Sequence, residues 1–167
     1  MARAQDEVAR LLADWRRERP DVDVSALEVF SRVSRLAVYA DRVRASAFRE
    51  VGLTAWGFDV LAALRRSGPP YQLSPGTLGT QLLVASGTVT HRVDRLATAG
   101  LLTREPDTED RRGVLVTLTA QGRSVVDRAL GLLADAETVL LTPLSDTERA
   151  RLAATLQRLL LAEETGR

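Results

Sequence analysis

Between Ser86 and Arg112 the chain gathers side chains fitted to an anionic, hydrogen-bonding surface. Ser86, Thr88 and Thr90 supply hydroxyls that donate or accept, and His91 does either according to its tautomer. Arg95 offers a planar fork that can grip a guanine edge with two parallel hydrogen bonds. A charged turn, EPDTEDRRG, follows; Asp110 stands beside Arg111 and Arg112 and can orient one guanidinium while the other stays free to enter a narrow groove. This is the chemistry of reading duplex DNA, with a helix for base edges and a basic hairpin for the backbone or minor groove. The helix alone is equally well read as a polar solvent face. The basic hairpin directly after it favours the DNA reading.

The positioning elements follow from pattern. Val89, Val93 and Leu96 recur at helical spacing and predict a helix over 87–98 with one face on a core, which turns Thr88, His91 and Arg95 outward. Ser74-Pro75 predicts the cap of a shorter helix ending at Leu83, and a tight turn at Ala85–Gly87 joins the two. Gly100 ends the second helix, and strands are predicted at 101–105 and 113–118, the latter alternating Val114, Val116 and Leu118. Upstream, helices are predicted over 3–18 (Val8, Leu11, Leu12, Trp15), from Ser25 to Gly52, and from Thr54 to Arg66 with Phe58, Leu61 and Leu64 buried. Ser25 with Glu28, and Ser145 with Glu148, read as capping boxes. Thr119 opens a helix to about Leu141, and a last one runs to about Glu163. The fold class is mainly α with a small β-wing: a winged helix-turn-helix at 53–118, a helical region at 1–52 on the dimerisation and ligand side, and dimerisation helices at 119–167. Leu130, Leu133, Leu140, Leu152, Leu156, Leu159 and Leu160 exceed what so small a domain buries alone, which points to a homodimer.

Composition narrows the function classes. The 167 residues contain no cysteine, which excludes disulfides and thiolate chemistry, and one histidine, which leaves no His cluster for a metal. All 23 basic residues are arginine, and Lys, Asn and Ile are absent, as in a chain from a GC-rich genome. The net charge of +1 means that a DNA-binding face must come from clustering. There is no phosphate-cradling glycine loop and no nucleophile–histidine pair, so no enzyme and no cofactor are expected. No apolar run suits a membrane span or a signal peptide, and a cytoplasmic protein is expected.

The stretch LSPGTLGTQLLVASGTVTHRVDRLATAGLLTREPDTEDRRGVLVTLTAQG resembles the MarR family of winged helix-turn-helix regulators. The likeness rests on the LSP helix start, TVTHRVDRL, GLL before the wing, DRRGV at its tip and LTAQG after it. It implies homodimers on pseudo-palindromic operators in double-stranded DNA, usually as repressors.

A helix ahead of the long one resembles, within that family, the urate-responsive PecS/HucR-type subgroup. The subgroup's pattern falls here on Trp15, on Asp59 in Gly57-Phe58-Asp59, on Arg92 in His91-Arg92-Val93, and on Arg104 in Thr103-Arg104-Glu105. The resemblance implies a site for a small anion such as urate, with Arg92 and Arg104 supplying charge and fork-shaped donors and Trp15 a stacking face. Asp59 could pair with Arg92 in the empty protein, and an incoming anion would then compete with it for Arg92. Taken singly, each residue is explained as well by packing, capping, a phosphate contact or a surface ion pair. Another organic acid or an antibiotic-like compound, or no small effector at all, are the alternatives.

Overall fold

The computed structural model describes residues 5–107 and 113–165. The chain divides into two compact units, Met1–Arg44 and Ala45–Arg167.

In the first unit, α1 (Glu7–Glu18) begins where Asp6 accepts a hydrogen bond from the Ala9 amide, later than the spacing predicts. It lies antiparallel to the start of α2 (Ser25–Arg49). Val8 and Leu12 bury against Val24, and Arg32 to Asp6 and Arg16 to Glu28, both at 2.8 Å, join the two helices at either end, with Arg35 to Glu7 beside the Asp6 pair. The Arg32 guanidinium and the Ala9 amide together hold the Asp6 carboxyl below the usual aspartate range. The capping box expected at Ser25 is replaced. Asp23 accepts from both the amide and the hydroxyl of Ser25, and Glu28 is engaged by Arg16 instead.

The second unit is built around α3 (Ala55–Arg66), capped by Thr54 and buried at Phe58, Leu61 and Leu64 as its pattern predicts. Phe58 stacks on Phe48 with ring centres 4.3 Å apart. Around it pack α4 (Pro75–Leu82), capped by Ser74, α5 (Ser86–Thr98), and α6 (Ala120–Leu140), capped by Thr119. The sheet holds three antiparallel strands in the order β1 (Gln72–Leu73), β3 (Val114–Leu118), β2 (Leu102–Pro106). Val116 faces Leu73 on one side and Arg104 on the other. The two-residue β1 was not expected; it follows Tyr71, whose backbone is left-handed at φ 62° and whose carbonyl receives the Leu118 amide.

The junction between α5, β2 and α6 is tight. The Thr119 hydroxyl donates to the Gly100 carbonyl and accepts from the Gly122 amide. A β-carbon at Gly122 would fall 1.9 Å from the Leu101 carbonyl oxygen, so only glycine fits. Last comes α7 (Asp146–Thr165), opened by the reciprocal Ser145–Glu148 box that the sequence predicts. It has no buried residue and exposes Leu152, Leu156, Leu159, Leu160 and Leu161. No helix among the described residues is long and apolar enough to cross a membrane.

Candidate nucleic-acid interface

α5 has two faces because its valines and leucine are fixed in the core. Val89, Val93 and Leu96 are at most 4% exposed, while Ser86, Thr88, Thr90, His91 and Arg95 all lie exposed on the rest of the helix, as the phase predicts. The Thr90 hydroxyl donates to the Ser86 carbonyl at 3.2 Å, which leaves its oxygen as an acceptor. Ala85 caps the helix without a side-chain bond, and its carbonyl accepts from the Thr88 and Val89 amides.

The turn into α5 is made by Leu83, left-handed at φ 53° and 92% exposed, and by the close approach of α4 to α5. A β-carbon on Gly79 would meet the Val84 carbonyl at 3.3 Å and Val89 at 3.4 Å. An open groove of about 460 Å³ runs along this turn, and Thr80, Leu83, Ser86 and Thr90 line it.

Charge on the helix is organised by three contacts. Arg104 of β2 reaches back to the carboxylate of Asp94 in a direct ion pair. The guanidinium of Arg95 lies 5.3 Å from the centre of the Trp56 indole, and that of Arg92 lies 5.9 Å from the same ring. Asp94 is therefore taken by Arg104 and not by Arg95. The guanidinium of Arg92, expected to be able to pair with Asp59, lies over the ring of Trp56.

Asp59 lies half-buried on α3, which packs against α5, so Asp59, Arg92 and Arg104 belong to neighbouring elements of the second unit. Trp15 is on α1 in the first unit, 47% exposed. Arg111 and Arg112 lie outside the described residues. The residue that sequence reasoning missed is Trp56. Its pairing with Arg92 and Arg95 depends on how α3 meets α5, and no local spacing encodes that.

The comparisons with known proteins agree with this geometry. A MarR family model matches residues 51–113. The HTH-type transcriptional regulator PecS of Dickeya dadantii is 39% identical over 152 residues, covering 91% of this chain and 92% of that protein. Among solved structures, an Escherichia coli MarR mutant complexed with operator DNA is similar with a TM-score of 0.69 and 26% identity, over 87% of this chain and 97% of that one. Sco5413, a MarR family transcriptional regulator of Streptomyces coelicolor, is similar with a TM-score of 0.70 and 25% identity, over 85% and 97%.

Proposed function

This chain belongs to the MarR family of transcriptional regulators, and from that we propose that it works as a homodimeric repressor which releases its operator when a small organic anion binds, urate being the first to test. The observation that carries the reading is the division of α5 into a core face and a polar face, followed by two paired strands whose connecting sequence contains Arg111 and Arg112. Ser86, Thr88, Thr90, His91 and Arg95 are assigned to base edges and nearby phosphates, and Arg111 and Arg112 to the adjoining backbone or minor groove. The operator-bound solved relative supports this way of meeting DNA.

Dimerisation is supported by α7. A helix with no buried residue and a row of exposed leucines has no reason to keep that face in water. A second copy of the chain supplies an identical face, and the two recognition helices then meet half-sites about 34 Å apart on a pseudo-palindrome.

The anion site is assigned to Trp15, Asp59, Arg92 and Arg104. Urate is flat and singly charged near neutral pH, which suits two guanidinium forks and a stacking face. Two of these residues hold other groups: Arg104 holds Asp94, and Arg92 lies over Trp56. An anion that takes these arginines alters the surroundings of α5 directly, and a state that fits DNA poorly gains population in proportion to the difference in its affinity for the two states.

The test is a mobility shift on the duplex upstream of this protein's own gene, titrated with urate. A shifted band that urate reverses supports both halves of the reading. A band indifferent to urate removes urate as the ligand, and no duplex recovered even from a random-sequence pool removes the DNA-reading assignment.

A further inference from the structure

Trp56 lies on α3, outside the recognition helix, yet two arginines of that helix, Arg92 and Arg95, converge on it. It stands in the first turn of α3, half-buried, packed on the core at its inner edge. The next residue, Gly57, brings α3 close to α5: a β-carbon there would lie 3.7 Å from Leu96. Arg92 and Arg95, one helical turn apart on α5, both place their guanidinium groups over the indole, at 5.9 and 5.3 Å from its centre. Asp94, which stands between them in the sequence, is held by Arg104.

We propose that Trp56 is a positioning residue for DNA binding: its indole holds Arg95, and Arg92 beside it, in place on the recognition helix without neutralising them. The proposal rests on the assignment of α5 as the DNA-reading helix.

The physical reason lies in the difference between the two ways of holding a guanidinium. A carboxylate fixes it through hydrogen bonds and cancels its charge, so that DNA must first displace the partner. An aromatic face attracts it through the ring quadrupole and occupies none of its N–H donors. The arginine keeps its full charge and its fork for a phosphate or a guanine, and a long side chain already confined loses less freedom on docking.

The experiment uses the full-length protein and a fluorescent duplex selected from a random-sequence pool by the wild type. Trp56→Leu keeps an apolar side chain and removes the π face; it is expected to weaken binding about tenfold. In an Arg92→Ala/Arg95→Ala background the same substitution is expected to change binding less than twofold, because nothing is left for the ring to hold. Trp56→Phe, which retains a ring, is expected within about threefold of the wild type, and it carries the test if Trp56→Leu fails to fold.

An equal loss from Trp56→Leu in both backgrounds means that Trp56 acts through packing, and overturns the proposal. So does Trp56→Leu binding as the wild type does, or Trp56→Phe losing as much as the folded Trp56→Leu. A wild type that selects no duplex overturns the DNA-reading assignment and this proposal with it, which separates that failure from a failure of Trp56 alone.

Discussion

Arg104, on the first wing strand, closes an ion pair with Asp94 on the recognition helix, and so ties the hairpin to the helix it follows. Both side chains are well exposed, so the pair contributes about 1 kcal/mol at most to stability. Its role is better sought in the relative placement of helix and wing.

Asp94→Asn is therefore expected to shift the unfolding free energy by less than about 1 kcal/mol. It frees Arg104 for an incoming anion, so the concentration of urate needed for half-release of DNA should fall. Thermal unfolding and a urate titration of the DNA complex check the two statements separately. Unchanged urate sensitivity would remove the Asp94–Arg104 pair from the response.

Asp59→Asn should leave the fold intact and weaken the ligand response. A circular dichroism spectrum with an anisotropy titration is sufficient. A variant as sensitive to urate as the wild type takes Asp59 out of the site.

At the wing tip, Arg112→Ala should weaken binding to all duplexes alike and lower the salt slope of log affinity by about one unit. An unaltered slope means that the tip stays out of the grooves.

Gly122→Ala drives a methyl group into the Leu101 carbonyl and the Leu118 side chain. A loss of about 3 kcal/mol or more is expected in urea unfolding, at the upper end for an overpacked site because the obstacle is backbone. Gly131→Ala, on the same helix where a β-carbon meets nothing, is the control and should stabilise by up to about 1 kcal/mol.

The Asp6 carboxyl, lowered by Arg32 and the Ala9 amide, predicts a pH dependence. A depressed acid stabilises the fold fully above its unfolded pKa, 3.8 for aspartate, and the contribution fades as pH falls through the lower folded value. Asp6→Asn should thus be less stable than the wild type at pH 7, and the gap should narrow below pH 4. A gap that stays constant through that range would sink the assignment.

The recognition helix was legible because its signal is local. Three apolar residues at helical spacing fix which face is buried, and the polar set follows by elimination. Thr54, Ser74, Thr119 and the Ser145–Glu148 box were legible for the same reason, since a cap bonds within three residues of itself. Ser25 misled because Asp23, just before it, is the better acceptor and because Glu28 had an arginine on another helix to meet. β1 carries only two residues, too few for alternation to show, and its pairing is supplied by a strand far along the chain. Trp56 was missed because which group a guanidinium meets across a helix crossing is set by the crossing.

The missing β-carbon at Gly122 has a mechanical meaning. Where a side chain separates two elements, it can change rotamer and absorb a small displacement of one before the other feels it. Here the backbone of α6 lies directly against the carbonyl of Leu101 at the root of the wing, and Thr119 ties the same spot to Gly100. A joint with nothing compressible in it has no play. Any tilt of α6 arrives undiminished at Leu101, where the first strand of the hairpin begins.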